Sequence, residues 1–282
     1  MYRVAPPPGK RYGRAVKCRA YKNRRAGVSI GLRERGAGEP VLFVHGTGLA
    51  SRYWTPLTGL VATRRRAVTV DLLGYGETDP WTGGDAFHFH RDRDVVIAAL
   101  EALEEPSHVV AHSYGGLLPA RPEPVRGLAL SEPVTFGVLQ SADHGAGLAD
   151  MARVNQDGAV LDLERGGSEA WLRGFVDYWN GAGAFEAMTE VARAALLRTG
   201  RKAFLEVRST LLDRTTHHDY ARIARPLLLM NGVDSPLAAR AIVTVLARSV
   251  PGAKRAEVAG AGHLGPFTHG DVVGPAILTF LD

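Results

Sequence analysis

The sequence predicts an α/β fold in which helices flank a mostly parallel central sheet and a helical segment interrupts the chain. Short apolar or β-branched runs recur after residue 27, each bounded by glycine, proline or charged residues, as buried strands are. Most of these runs lead into helical patterns, and strands that alternate with helices form parallel sheets through crossover connections. The alternation breaks once, at residues 133–222, where the pattern is mainly helical.

The elements can be placed in chain order. Residues 28–33 alternate in polarity and predict an antiparallel strand at the sheet edge. The buried strands are predicted at 41–44, 67–70, 109–111, 125–130, 227–230 and 255–258. The helices that connect them are expected near 52–62, 91–104, 236–249 and 270–281. The core of the fold therefore comprises residues 28–132 and 223–282, with the helical insertion between them.

Charge is distributed unevenly along the 282 residues. Nine Lys or Arg side chains and no Asp or Glu fall in residues 1–27, whereas the remainder carries 25 basic and 29 acidic residues. The formal charge of +5 therefore arises from a basic N-terminal arm, which we expect to be flexible. The body is mildly acidic, so we expect no nucleic-acid partner.

Composition excludes several other classes of protein. Hydrophobic residues make up 45% of the chain and charged residues 22%, which excludes a disordered or collagen-like chain. No apolar run approaches the roughly 18 residues of a membrane-spanning helix, and no apolar segment of a secretory signal follows the arm. The single cysteine, Cys18, cannot form an internal disulfide, which fits a reducing compartment. We therefore expect a cytoplasmic protein.

A small-x-Ser-x-Gly sequence at residues 111–115 provides the candidate nucleophile, Ser113. It directly follows a predicted strand. A nucleophile elbow turns so sharply that the residues two positions on either side of the serine must be small. Gly115 meets this requirement, and Ala111 stands where the first glycine of the motif usually lies. The strand before the motif makes it a strong indication of nucleophilic catalysis.

A His-Gly-Thr-Gly sequence at residues 45–48 follows the strand predicted at 41–44. A glycine-rich turn at a strand end can direct a backbone N–H group into the cleft. The N–H groups of Thr47 and Tyr114 would together form an oxyanion hole. His45 and Gly46 are candidate substrate-binding residues.

A second glycine-rich loop, residues 260–266, carries His263 directly after the last predicted strand. A histidine on such a loop can reach the serine and accept its proton as a general base. The chain order is serine, then acid, then histidine, which fits a triad on an α/β fold.

These motifs, together with an Asp-x-x-Gly-x-Gly turn at residues 71–76, resemble the α/β-hydrolase superfamily. The resemblance covers residues 28–282 and is closest to lidded serine hydrolases of the carboxylesterase type. It implies a sheet of about eight strands, a helical lid at residues 133–222, and no metal or organic cofactor. Asp71 is expected to fix its loop rather than to take part in catalysis.

Two carboxylates are candidates for the acid of the triad. The family usually places its acid after the strand at 227–230, in a Gly-x-x-Asp pattern. Here Ser235 occupies that offset, and Asp234 comes one residue early. Glu132 follows the preceding strand, and certain haloalkane dehalogenases resemble this arrangement. Either carboxylate can orient the His263 imidazole and stabilise its charged form, with a slight preference for Glu132.

The segment after Ser113 departs from the family pattern. Pro119, Pro122 and Pro124 precede the strand predicted from Val125, and three prolines in six residues exclude a long helix. That helix normally supports the strained serine turn, and its N-terminal end favours the oxyanion. The chain can compensate through the lid or by forming a homodimer.

Aromatic residues form a stripe in the predicted lid. Trp171, Phe175, Tyr178 and Trp179 recur with the spacing of one helix face. Such a stripe packs an insertion against the body and can also line a pocket. Trp171, Phe175 and Trp179 are therefore candidate substrate-binding residues for a mainly apolar substrate. The histidines at 88–90 and 217–218 lack further ligands close in sequence, so we expect no metal site.

The sequence thus predicts a serine hydrolase that cleaves a carboxylic ester of a small, mainly apolar molecule through an acyl-enzyme on Ser113. Lactones, thioesters and C–C bonds β to a carbonyl stay open, because the same triad serves them. Epoxide hydrolase and dehalogenase chemistry is disfavoured, since those relatives use a carboxylate at the elbow. A ligand-binding protein on the hydrolase fold, without turnover, also stays open because the helix after the serine is short.

Overall fold

The computed structural model describes residues 17–23, 27–118, 125–154 and 158–282. Its strands are β1 Lys17–Asn23, β2 Val28–Gly36, β3 Pro40–Val44, β4 Arg66–Val70, β5 Ser107–His112, β6 Val125–Ser131, β7 Leu227–Gly232 and β8 Lys254–Val258. They form one 8-stranded sheet in the order β1-β2-β4-β3-β5-β6-β7-β8. β2 pairs antiparallel with β1 and β4, and all later neighbours are parallel. The predicted fold class is confirmed.

The six predicted buried strands are all present in the sheet, but the edge differs from the prediction. β2 is not the edge strand, because β1 pairs along its full length with Val28 to Glu34. Residues 17–23 belong to the predicted flexible arm, so the end of that arm is in fact part of the sheet. Residues 1–16 and 24–26 of the arm lie outside the described part of the chain.

The helices in the described residues are α1 Thr55–Val61, α2 His90–Glu101, α3 Gly137–Ser141, α4 Gly145–Val154, α5 Glu169–Asn180, α6 Glu190–Arg198, α7 Gly200–Leu211, α8 His217–Tyr220, α9 Leu237–Ser249, α10 Gly265–Thr268 and α11 Gly270–Leu281. α1, α2, α9 and α11 are the four predicted connecting helices. No helix of the described segments is both long and apolar enough to span a bilayer. The predicted homodimer and cytoplasmic location stay predictions.

Strand side chains alternate between two cores, one on each face of the sheet. In β3, Val41 and Phe43 pack on the face that carries α1 and α11, whereas Leu42 and Val44 pack on the face that carries α2 and α9. Burial on both faces explains why these strands are continuous apolar runs. In a parallel sheet the loops after the strands meet at one edge, so the three predicted motif loops are brought together there.

Six helices, α3 to α8, lie between β6 and β7 in the described residues and form the insertion. α3, α4 and α8 contact α9 of the core. α7 contacts the 3₁₀ turn Ser113–Gly116 that follows β5. The insertion is therefore seated on the core close to the candidate nucleophile.

The segment after this turn is short. Leu117 and Leu118 are buried, and β6 begins at Val125, so no long helix can intervene. The prolines that predict this break lie in residues 119–124, outside the described residues. The contact of α7 with the turn agrees with compensation by the insertion.

Candidate active site

Ser113 is the first residue of the turn after β5 and has a φ of 55°. This left-handed conformation is strained for a residue other than glycine, and such strain concentrates at functional sites. A Cβ at Gly115 would lie 2.4 Å from the carbonyl oxygen of His45, and a Cβ at Gly46 would lie 2.9 Å from the Cβ of Ser113. Both glycines are therefore required, because the loop after β3 and the elbow pass so close to each other.

The imidazole of His263 joins Ser113 to a carboxylate. Its Nε2 lies 3.0 Å from the Ser113 Oγ, and its Nδ1 lies 2.5 Å from Oε2 of Glu132. All three side chains are buried. Glu132 also has a positive φ, 48°, so strained backbone occurs at two of the three positions. This arrangement can transfer the serine proton to His263 and stabilise the resulting imidazolium.

The second oxygen of Glu132 is also fully engaged. Oε1 accepts the N–H of Gly232 at 2.7 Å and the hydroxyl of Ser235 at 2.5 Å. Burial alone would raise the pKa of Glu132, but the hydrogen bonds it accepts, first of all from His263, hold the pKa below its usual value. Glu132 is therefore a carboxylate at neutral pH.

The other candidate acid, Asp234, is exposed on the turn after β7. Its backbone N–H donates to the carbonyl of Ala261 at 2.9 Å. The buried residue of this turn is Ser235, which stands where the family usually places its acid and instead donates to Glu132. The role of Ser235 was missed from sequence. The sequence feature that could have revealed this role is a serine at the usual position of the acid, combined with a carboxylate, Glu132, after the preceding strand.

The side chain of His45 is not available to a substrate, contrary to the prediction. Its Nδ1–H donates to the carbonyl of Gly46 at 2.9 Å, and its Nε2 accepts the N–H of Leu72 at 3.0 Å. The ring is completely buried, and burial lowers its pKa. His45 therefore fixes the loop as a neutral imidazole. Gly46 lies beside Ser113, and its role in substrate binding stays a prediction.

His112, the residue before Ser113, supports the loop that carries His263. Its Nε2–H donates to the backbone carbonyl of His263 at 2.8 Å, and its ring stacks on Tyr53. Burial, together with the nearby His263, lowers the pKa of His112 to about 3. His112 is therefore neutral and acts as a packing residue rather than as a second base.

The sequence profile described as the alpha/beta hydrolase family matches residues 41–276, a range that contains Ser113, Glu132 and His263. The chain belongs to this family. The hydrolase is 32% identical over 146 residues to a 2-hydroxymuconate semialdehyde hydrolase of Pseudomonas sp. (strain CF600), a match that covers 46% of this chain and 50% of that protein. It therefore spans about half the length of that relative.

Two solved structures resemble the hydrolase along most of their length. A hydrolase from Pseudomonas aeruginosa PA01 has a TM-score of 0.72 and 24% identity, with 94% of this chain and 98% of that chain covered. The enol-lactonase of Burkholderia xenovorans LB400 has a TM-score of 0.70 and 17% identity, with 90% and 97% covered. These two likenesses concern the fold alone.

The aromatic stripe lies on α5 of the hydrolase and divides into two parts. Trp179 stacks on the His263 ring, with ring centroids 4.1 Å apart and planes inclined by 29°. Trp171 instead packs within the insertion, stacked on Phe175 and edge-on to Phe204. Among the four aromatic residues of the stripe, Trp179 makes the ring contact with His263. Phe175 is half-buried between the two tryptophans.

A tryptophan-to-leucine substitution at position 179 is expected to lower kcat about tenfold, because the indole ring stabilises the imidazolium and shields its bond to Glu132 from water. Trp179→Phe should retain more of the activity. The matched control is Trp81→Leu, which changes a half-buried tryptophan bonded to Gly84. Steady-state kinetics with a p-nitrophenyl ester measures the effect, and equal kcat values for both leucine variants would contradict it.

A cluster of buried charges close to Tyr114, one of the two predicted oxyanion donors, was not predicted. Lys202 Nζ lies 2.7 Å from Oδ2 of Asp92 and 2.5 Å from Oε1 of Glu206. Burial raises the pKa of Glu206 to about 7, although the Lys202 ammonium favours the charged carboxylate. Burial alone would lower the pKa of Lys202, but the two carboxylates raise it. The i, i+4 spacing of Lys202 and Glu206 is the sequence feature that could have indicated an ion pair. Such pairs usually lie on the exposed surface of a helix, so the spacing does not predict a buried cluster.

This raised pKa predicts a pH-dependent stability. The folded state holds the Glu206 proton more tightly than the unfolded chain, whose pKa is 4.5, so the stabilisation is complete below that pH and is lost as pH rises through 7. We therefore compare the unfolding free energy of the parent with that of Glu206→Gln. Between pH 4.5 and 7 the difference should shift against the parent by on the order of 1 kcal/mol per pH unit. Urea unfolding of both proteins at several pH values measures the difference, since all other titrating groups are shared. A constant difference would contradict the assignment.

The described residues contain no group of three or more His, Cys, Asp or Glu side chains arranged to hold a metal ion. The His88 and His90 rings lie 4.3 Å apart, and the His217 and His218 rings lie 3.9 Å apart. His217 is engaged with the hydroxyl of Ser141.

Proposed function

We propose that this hydrolase cleaves a carboxylic ester of a small, mainly apolar molecule through an acyl-enzyme on Ser113. The supporting observation is the single imidazole of His263 that contacts both the Ser113 Oγ, at 3.0 Å, and the Glu132 carboxylate, at 2.5 Å. Because Glu132 faces Nδ1, that nitrogen carries the proton and Nε2 is free to accept the serine proton.

The reaction follows from these positions. Ser113 Oγ attacks the ester carbonyl while its proton moves to Nε2 of His263, and Glu132 stabilises the imidazolium. The backbone N–H groups of Thr47 and Tyr114 are the proposed donors to the oxyanion. His263 then returns the proton to the leaving alcohol, and water hydrolyses the acyl-enzyme in the reverse sequence. The burial of the triad residues strengthens each of these electrostatic interactions.

The substrate class is proposed from the surroundings of the triad. Trp179 covers His263 with an apolar surface, and Phe175 extends that surface along α5. Sites of this kind bind apolar groups and use few polar contacts for orientation. Gly46 lies against Ser113, since a Cβ at this position would come within 2.9 Å of the Ser113 Cβ.

A second candidate is hydrolysis of a C–C bond β to a carbonyl, which the similarity to a 2-hydroxymuconate semialdehyde hydrolase favours. The similar fold of an enol-lactonase keeps lactones among the candidate substrates, and thioesters share the same acyl chemistry. All of these substrates would form the same oxyanion at the same site.

Covalent labelling tests the proposal. A fluorophosphonate probe should modify Ser113, identified by peptide mass spectrometry, and p-nitrophenyl esters of short acyl chains should release p-nitrophenol. Parallel assays with a lactone, an acyl thioester and a vinylogous diketone rank the substrate classes. A folded protein that the probe does not label, and that turns over none of them, would instead be a ligand-binding protein.

A further inference from the structure

The two proposed oxyanion donors lie on different loops. Thr47 belongs to the loop after β3, and Tyr114 belongs to the elbow after β5. Their N–H groups must converge on one oxygen atom, and small displacements of such donors reduce catalysis strongly. The relative position of these two loops therefore has to be fixed.

The side chains of both residues reach the same buried charge cluster. The Tyr114 hydroxyl donates to Oδ2 of Asp92 at 2.8 Å, and the Thr47 side chain interacts with Glu206 and lowers the pKa of that carboxyl group. Lys202 Nζ bridges these two carboxylates at 2.7 and 2.5 Å. Charge-assisted hydrogen bonds thus run from Tyr114 through Asp92 and Lys202 to Glu206, and the interaction of Glu206 with Thr47 completes the path.

A second path reinforces the first. The Tyr75 hydroxyl donates to Oε2 of Glu206 at 3.2 Å and accepts the N–H of Gly48 at 3.1 Å. Asp92 also accepts the N–H of Leu73 at 3.0 Å through its other oxygen. The cluster therefore holds the loop after β3 by its backbone as well as by the Thr47 side chain.

The cluster is poorly explained as a source of stability. The side chains of Asp92 and Glu206 are 0% exposed and that of Lys202 is 9% exposed. Three buried charges cost desolvation, and apolar packing of the same volume stabilises a protein as well or better. A fixed geometry, in contrast, is what fully satisfied polar networks provide.

We propose that Lys202, with Asp92 and Glu206, is a positioning unit that sets the spacing of the Thr47 and Tyr114 N–H groups. Because Lys202 and Glu206 lie on α7, the unit ties the oxyanion hole to the insertion as well as to the core. None of the three charged side chains touches the reacting atoms. The proposal rests on the proposed function of Ser113, and it goes beyond it by assigning a role to residues outside the triad.

Two variants cut the path without removing either N–H group or any buried charge. Thr47→Val and Tyr114→Phe should each lower kcat about tenfold, with KM for p-nitrophenyl butyrate within twofold of the parent. The double variant should lose much less than the product of the single effects, because both substitutions break one connection. Thr47→Ser, which restores the hydroxyl, should return kcat to near the parent value. The rate of fluorophosphonate labelling of Ser113 should follow kcat.

The matched control is Ser209→Ala on the same helix. The Ser209 hydroxyl oxygen is buried and accepts the N–H of Phe89 outside the network, so this variant should lose stability but keep kcat. Parent-like rates for Thr47→Val and Tyr114→Phe, or an equal loss in Ser209→Ala, would overturn the positioning role alone. A parent that the probe does not label would overturn the proposed function, and the positioning role with it.

Discussion

Replacing Ser113 with alanine should lower kcat/KM for a short p-nitrophenyl ester by at least about 10⁴-fold, with the fold intact. The reason is specific: the substitution removes the Oγ that lies 3.0 Å from the His263 base, and no acyl-enzyme can form. Steady-state kinetics, fluorophosphonate labelling and circular dichroism measure the three consequences together. Residual hydrolysis at the parent rate would show that another group carries the reaction.

Ser113→Gly separates catalysis from backbone strain. Glycine adopts a φ of 55° without the steric cost that serine and alanine share, so this variant should be inactive yet more stable than Ser113→Ala. The expected gain is about 1 kcal/mol of unfolding free energy, measured by urea denaturation. Equal stability of the two variants would contradict the strained elbow.

Glu132→Gln should reduce kcat by about 10³- to 10⁴-fold, the second-largest effect expected for this hydrolase. The amide keeps the volume of the side chain and can still accept from Gly232 and Ser235. It cannot stabilise the His263 imidazolium, and an amide N–H facing Nδ1 would favour the tautomer that leaves no base toward Ser113. Loss of kcat with little change in KM is therefore expected.

Asp234→Asn provides the matched comparison. It also converts a carboxylate to an amide, but on the turn after the neighbouring strand, β7. Asp234 is exposed and the hydrogen bond to His263 Nδ1 is made by Glu132, so kcat should stay within about twofold of the parent. The reverse pattern, a large loss at Asp234 and none at Glu132, would assign the acid to the turn after β7.

Most of the fold could be predicted from local sequence. The buried strands are short apolar runs with clear boundaries, and α2 and α9 carry strong helical patterns, so local propensity and burial agree. β1 was missed because its sequence is highly basic and resembles a solvated arm. It forms a strand because β2 offers a free edge along its whole length, a pairing that no local pattern reveals.

The candidate site also contains residues that could be predicted from sequence and residues that could not. Ser113 stands in a motif whose Gly115 is required by a close backbone approach, and His263 stands in a glycine-rich loop in which Gly260 has a positive φ of 70°. The motif and its spacing predict both candidate roles. His45 stands in a motif of this kind as well, yet both of its ring nitrogens bond to backbone groups. Nδ1 donates to the carbonyl of the adjacent Gly46, and Nε2 accepts the N–H of Leu72 from the loop after β4.

The sequence by itself determined the α/β architecture and identified Ser113 and His263 as the candidate nucleophile and base, because each depends on short-range patterns of burial, turns and glycine. Tertiary structure alone decided which carboxylate faces His263, since Glu132 and Asp234 follow adjacent strands, β6 and β7, and differ only in direction and burial. It also decided that Asp92 and Lys202, 110 residues apart, meet next to the Tyr114 side chain. Contacts at such separations depend on how the helices pack on the sheet, and this packing is not encoded in any local segment.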